Sequence, residues 1–332
     1  MDPIITVGHL SRSFRSYKKE PGVLGSLRSL YHRDFFDVHA VKDISFTINP
    51  GEAIGFIGPN GAGKTTTLKM LSGLLYPSAG QVSVLGYEPF QRKPEYLKKY
   101  ALIMGQKSQL WWDLPPLEGF ILNKEIYQVS DTSFNANIRY LADLLDVTSV
   151  LKIPVRKLSL GQRMKCELIA ALIHNPQILF LDEPTIGLDV VVQKKIRAFL
   201  KTHNQEKKTT IILTSHNMDD VQEICKRIII INHGSLIYDG PLADLTKQYA
   251  KNKVLKLIFN QPVTKTKLKK YGAITHFEVG GLSATISVPR VKHTTIAGDI
   301  LRDFSVDDLD IAETSLEDII REIFETSLQP KP

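Results

Sequence analysis

The sequence predicts an α/β fold in which a nucleotide-binding domain on a parallel sheet is followed by a small α+β appendage. Three observations carry that expectation. Apolar runs of strand length alternate with helical patterns as far as about residue 238. One strand-to-helix junction among them reads Gly58-Pro59-Asn60-Gly61-Ala62-Gly63-Lys64-Thr65-Thr66, the G-x-x-x-x-G-K-T phosphate loop. Near Gly240 the alternation ends, which sets domain boundaries at 1–239 and 240–332.

The loop has a chemical logic. Its glycines let successive N–H groups turn inward around an anion where a Cβ would crowd a phosphate. Lys64 supplies a point charge for β/γ-phosphates, and the Thr65 hydroxyl is a Mg²⁺ ligand. Ala53–Ile57 reads as the buried strand before the loop. Leu68, Leu71 and Leu75 share one face of the helix after it, so phosphates would meet a helix N-terminus.

Composition narrows the class. No run approaches the ~18 apolar residues of a membrane-spanning helix, and Met1-Asp2-Pro3-Ile4 lacks the pattern of a secretory leader. Cys166 and Cys225 have no C-x-x-C partner and are expected as packed, reduced thiols. The net charge of +7, with lysines crowded between Lys251 and Lys270, is read as a solvated face. No nucleic-acid partner is expected.

In chain order, Ile4–Leu10 is expected as an opening edge strand. A basic insert from Arg12 to Asp34 follows, with Val23, Leu27, Leu30 and Tyr31 at helical spacing. Ile44, Phe46 and Ile48 alternate as a strand, and Asn49-Pro50-Gly51 turns into the strand before the loop. Val82 and Val84 mark one short strand and Ala101–Met104 another, closed by Gly105-Gln106. A helical insertion runs from about Leu117 to Val155, with Ile138, Leu141, Ala142 and Leu145 on one face. Leu158-Ser159-Leu160-Gly161-Gln162 opens a further helix. Ile178–Leu181 is a buried strand ending on Asp182-Glu183-Pro184-Thr185. A helix over Val191–His203 leads to the strand Thr210–Thr214 and then Ser215-His216. Ile228–Ile231 ends the core, and Asn232–Ser235 is a hairpin turn. The tail offers a helix at Leu242–Tyr249, strands at Val254–Ile258 and Ala284–Val288, and helices at Val291–Phe304 and Leu316–Phe324.

These motifs together resemble the nucleotide-binding subunit of ABC transporters over about Ile4–Tyr238, with the likeness strongest to ATPases serving separate ABC-2-type, drug-exporting permeases. The resemblance implies a P-loop NTPase: a RecA-like core, an antiparallel β subdomain and a helical signature subdomain at about 107–162. It implies that Asp182, with Thr65 and Gln106, holds Mg²⁺, and that Glu183 is the base that polarises attacking water. Lys64 and His216 complete the catalytic set. Gly58, Pro59, Asn60, Gly61, Ala62, Gly63, Lys64, Thr65 and Thr66 cradle the phosphates. Ser159, Gly161 and Gln162 match the L-S-G-G-Q signature, with Leu160 where glycine is usual. Asp189 matches the inter-subunit loop. Phe35 matches the aromatic residue that stacks on adenine, and Phe36 is the alternative because the insert blurs the register.

The function implied is ATP hydrolysis that drives an exporter of a small molecule or drug. Two chains would sandwich two nucleotides, in a homodimer or with a related subunit. Integral membrane permease subunits would hold the pair at the cytoplasmic face of the membrane. An importer or polysaccharide-exporter ATPase is the alternative, and a soluble ABC protein acting on ribosomes or DNA is a further one. At least one of the adjacent Trp111 and Trp112 is expected to meet a cytosolic helix of the membrane subunit.

Overall fold

The computed structural model describes residues 2–17, 35–105, 107–249 and 252–327. The chain divides into two compact units, Met1–Gly240 and Pro241–Pro332. The expected helix across Val23–Tyr31, and Gln106 itself, lie outside the described residues.

The first unit opens with a long ribbon, β1 (Ile5–Tyr17) and β2 (Phe35–Ile48). Next come β3 (Ala53–Ile57), α1 (Lys64–Leu71), β4 (Ala79–Val84) and β5 (Tyr100–Met104). The helical insertion holds α2 (Pro116–Tyr127) and α3 (Asp131–Leu145), and the helix opened by Ser159 is α4 (Leu160–Leu172). β6 (Ile178–Asp182), α5 (Val190–Lys207), β7 (Thr210–Thr214), α6 (Met218–Ile224), β8 (Arg227–Asn232) and β9 (Ser235–Pro241) complete it.

A six-stranded sheet runs in the order β5-β6-β7-β3-β8-β9, with β5, β6, β7, β3 and β8 parallel to their neighbours. Its central strands are buried on both faces, which is why they read as continuous apolar runs. β9 returns through His233-Gly234, both at positive φ, as a tight hairpin requires. An antiparallel sheet, β2-β1-β4, packs its Ile5, Val7, Leu10, Ile44, Phe46 and Ile48 into one core with Phe56, Leu68, Met70 and Phe180. Helix α1, and with it the phosphate loop, is therefore fixed by both sheets.

One expectation fails here. β1 is no edge strand ending at Leu10; it is the central strand of its sheet and continues to Tyr17. Its register slips between Val7 and Ser13, and His9 and Asp43 adopt positive φ at the irregularities. The slips break the two-residue alternation, so the outer half of the strand lost its sequence signature.

Helix α3 buries Phe134, Leu141, Ala142 and Leu145, and Ser130 caps it by accepting the Ser133 N–H. The thiols of Cys166 and Cys225 are buried, and burial pushes Cys166 up to about 12. Among the described residues, no helix is long and apolar enough to cross a membrane.

The second unit contains α7 (Leu242–Tyr249), β10 (Asn252–Phe259), α8 (Lys265–Leu268), β11 (Ala273–Phe277), β12 (Ser283–Pro289), α9 (His293–Asp303), β13 (Val306–Glu313) and α10 (Leu316–Ser327). From β10 to β13 the order is β-α-β-β-α-β, with strands arranged β11-β12-β10-β13 in an antiparallel sheet. That is a split βαβ, or ferredoxin-like, topology. Leu255, Leu257, Phe259, Ile286, Val288 and Ile300 form its core. The sequence reading missed β11 and β13. Both are edge strands, and β13 carries Asp307, Asp308, Asp310 and Glu313, charges that guard an edge and hide the strand pattern.

Candidate functional site

The phosphate loop joins β3 to α1, and two backbone approaches shape it. Gly63 has φ 107°, and a Cβ there would lie 2.4 Å from the Ala40 carbonyl oxygen. A Cβ on Gly58 would lie 2.3 Å from the Ile231 carbonyl oxygen. Side chains at these positions are excluded sterically, so loop, ribbon and β8 sit backbone to backbone. The hairpin turn braces the loop further, with Gly234 donating its N–H to the Ala62 carbonyl (3.1 Å).

A cavity of about 520 Å³ lies over the loop, lined by Asn60 through Thr66 with Asp182, Glu183 and His216. Lys64 is buried, and its ammonium donates to the carbonyls of Gly58 (2.6 Å) and Pro59 (3.1 Å). Burial lowers its pKa, while Glu183 and Asp182 pull it back up. Thr65 donates its hydroxyl to Asp182 Oδ2 at 2.9 Å, and Thr214 donates to Asp182 Oδ1 at 2.7 Å. Hydroxyl and carboxylate oxygens in contact are hard donors suited to a magnesium ion that also binds substrate phosphates.

Glu183 follows the last residue of β6 and has φ 56°, a left-handed conformation uncommon outside glycine. Its N–H donates to the Thr214 carbonyl (3.1 Å). Gly105 N–H donates to the Asp182 carbonyl (2.8 Å), and a Cβ on Gly105 would fall 2.0 Å from the Glu183 oxygen. The strained residue is thus clamped by its neighbours on both sides. His216 donates its backbone N–H to Glu183 Oε2 (3.2 Å), and its Nε2 lies 3.1 Å from Oε1. Oε1 itself is buried without an aligned hydrogen-bond donor, so it retains the capacity to accept a proton. Burial raises the Glu183 pKa, against the opposing pull of His216 and Lys64.

The signature residues do not line this cavity. Ser159 is the N-cap of α4 and accepts the Gln162 N–H (3.2 Å), while Gln162 Oε1 accepts the Ser159 N–H (3.0 Å). That reciprocal capping box leaves the turn at the surface. Gly161 packs on α5: a Cβ there would sit 3.0 Å from the Val192 side chain. Leu160 is partly exposed and leans over Gly187. Asp189 caps α5 by accepting the Val192 N–H (2.9 Å).

Phe35 does not reach the cavity either. It is half-exposed, edge-on to Tyr17, with the Arg15 guanidinium 4.2 Å over its ring, and Phe36 is its exposed neighbour on β2. Ala40 is the β2 residue that lines the cavity, and Phe14 stands opposite Val38, two residues away from it.

Sequence reasoning missed the groups behind the site. Asp220 is fully buried and accepts from the hydroxyls of Thr185 and Ser215 (2.7 Å from Ser215), with Arg197 at 3.2 Å. This carboxylate ties the loop after Glu183, the strand end before His216, and α5 to one another. Thr214 was legible as the last strand residue before Ser215-His216. Arg197 carried no local signal, because its carboxylate partners, Asp220 and Glu223, lie far along the chain on α6.

Residues 41–186 match the ABC transporter family, and residues 251–312 match the EvrA-like ABC transporter C-terminal domain. The ABC transporter ATP-binding protein NatA of Bacillus subtilis is 35% identical over 208 residues, covering 63% of this chain and 84% of NatA. Nod factor export ATP-binding protein I of Burkholderia lata is 29% identical over 269 residues, covering 80% of this chain and 86% of that protein. A solved ATP binding subunit of an ABC transporter superposes with a TM-score of 0.60 at 25% identity, over 74% of this chain and 93% of that one.

Proposed function

The chain belongs to the family of ABC transporter ATP-binding proteins, and we propose that it is the ATP-hydrolysing subunit of an ABC-2-type exporter of a small molecule or drug. One observation carries the catalytic assignment: Lys64, Thr65, Asp182, Glu183 and His216, from three stretches of sequence, converge on one cavity. The export role named for the Nod factor relative, whose match extends past the cassette, supports the export reading.

In this reading the loop amides from Asn60 to Thr66 bind the phosphates at the N-terminus of α1. Lys64 leaves the Gly58 and Pro59 carbonyls for the β/γ-phosphates. Thr65 and Asp182, with Gln106, hold Mg²⁺, which when bound neutralises phosphate charge. Glu183 takes the proton of the attacking water through Oε1, and His216 holds the other carboxylate oxygen in place. A second chain, most simply a second copy, brings its Ser159, Gly161, Gln162 and Asp189 over the phosphates. The self-capped turn at Ser159 supports this, because it is preformed at the surface and away from its own chain's cavity. Base stacking falls to the β1–β2 ribbon, at Phe35 or at Phe14, which the register sets three positions nearer to Ala40.

Membrane permease subunits complete the assembly, at the cytoplasmic face. A groove of about 440 Å³ lined by Leu74, Leu97, Tyr100, Gln109, Ile126 and Tyr127 offers them a seat beside the exposed Trp111 and Trp112. The test is Glu183→Gln, assayed for ATP binding, dimer formation and hydrolysis. Retained binding, a trapped dimer and a ~10²–10⁴-fold loss of kcat are expected. Near-normal hydrolysis would sink the assignment.

A further inference from the structure

Helix α4 carries Arg163 and Glu167 one turn apart on the same face. That face meets Ser108–Trp112. Glu167 is only 3% exposed, and its carboxylate accepts hydrogen bonds from this segment. It accepts from the Ser108 hydroxyl (2.6 Å), the Gln109 N–H (3.0 Å) and the Leu110 N–H (3.2 Å). Arg163 adds its guanidinium over the Trp112 ring at 5.6 Å.

A buried carboxylate normally takes a cation as its partner. Here backbone amides satisfy it, and they fix the direction of the chain because an N–H cannot turn away without rotating the peptide. From the same segment one side-chain bond runs the other way, from the Gln109 amide to the Leu102 carbonyl on β5. That link is a long flexible side chain, whereas the attachment to α4 is through main chain. The far end of α4 is Ser159, the residue assigned above to the partner's nucleotide.

We propose that Glu167 is a positioning residue that ties Ser108–Trp112 to helix α4, so that displacement of the Ser159 end on nucleotide closure is carried to the Trp111–Trp112 surface. The inference rests on the nucleotide-sandwich reading for its trigger, but the clamp exists without it. Phosphate contacts alone do not reach the tryptophans. Glu167 supplies a buried connection between the two surfaces that meet other chains, beside the bond that the Arg156 N–H donates to the Trp112 carbonyl (2.9 Å).

The chain's two tryptophans are Trp111 and Trp112, so emission excited selectively from tryptophan reports this segment alone. The first measurement is amide hydrogen exchange on the full chain without nucleotide. Glu167→Gln keeps one acceptor oxygen for these donors but removes the charge and turns an NH₂ toward the Gln109 N–H, which is shared between both carboxylate oxygens, so Gln109 and Leu110 are expected to exchange ~10-fold faster, as for a charged acceptor replaced by a neutral one. Ser108→Ala, at an exposed residue, is expected to give a smaller acceleration in the same direction even if Glu167→Gln fails to fold. The second measurement adds Mg-ATP to a Glu183→Gln parent. The parent's emission is expected to change, and adding Glu167→Gln or Ser108→Ala is expected to diminish that change, with ATP affinity by calorimetry unaltered. Unchanged exchange in the variants overturns the clamp. An undiminished emission change, or none in a parent that binds ATP, overturns the transmission. A parent that does not bind ATP sinks the functional reading instead, and exchange alone then decides the clamp.

Discussion

The two halves of the candidate site find their hydrogen-bond partners at opposite ranges. At the phosphate loop, Thr65 bonds Asp182 across 117 residues, and Glu183 meets His216 across 33. At the signature turn, Ser159 and Gln162 satisfy one another three residues apart, and Asp189 bonds Val192 at the same spacing. The first half exists only when the six-stranded sheet has assembled. The second needs little more than two helix starts. Damage to the loop half should therefore couple chemistry to folding, whereas damage to the signature half should separate them.

The largest expected effect is chemical and confined to the loop half. Glu183→Gln should lower kcat by ~10²–10⁴-fold while ATP still binds, read by steady-state phosphate release. The pH dependence sharpens the point. Burial holds the folded Glu183 pKa above 4.5, and a base works deprotonated, so kcat/KM should rise with pH through a limb above the ordinary carboxylate range. The folded state also binds this proton more tightly than the unfolded chain does. Its stabilising contribution is therefore present below pH 4.5 and lost as pH rises through the folded value. A kinetic limb at or below 4.5 would contradict both statements.

The next effect tests the long-range wiring. Asp220→Ala takes one of two carboxylates from the buried Arg197, leaving it Glu223, and should cost ~1–3 kcal/mol in urea unfolding, with kcat falling as Thr185 and Ser215 lose their anchor. A stable, fully active variant would show that the wiring is dispensable.

The signature half should respond differently. Ser159→Ala removes a cap worth ~1 kcal/mol and should also impair hydrolysis. Ser159→Asp restores the cap but aims a negative charge at a phosphate, so stability should recover and activity should not. Recovery of both would confine Ser159 to capping. The smallest effect belongs to Leu160→Gly, which should change neither KM nor kcat. A clear change in either would show that the departure from the family pattern matters.

Much of the cassette was legible because its cues are local. The phosphate loop, the Asp182-Glu183 pair, the helix start at Leu158–Gln162 and the His233-Gly234 turn each announce themselves within a few residues. The apolar runs of β3, β6, β7 and β8 announce burial on both faces. The continuation of β1 to Tyr17 stayed hidden because bulges shift the alternation, and β13 stayed hidden because its acidic residues mask a strand.

Tertiary structure alone decided how those pieces meet. It placed Gly105 against the Glu183 carbonyl, buried Asp220 between Thr185, Ser215 and Arg197, and turned Glu167 from a helical carboxylate into the anchor of Ser108–Leu110. The division has one physical cause. A turn, a cap or a strand period is set by neighbours in the chain, so its residue types can be read in order. A buried charge is set by whatever donor the packing brings beside it, and sequence distance carries no trace of that.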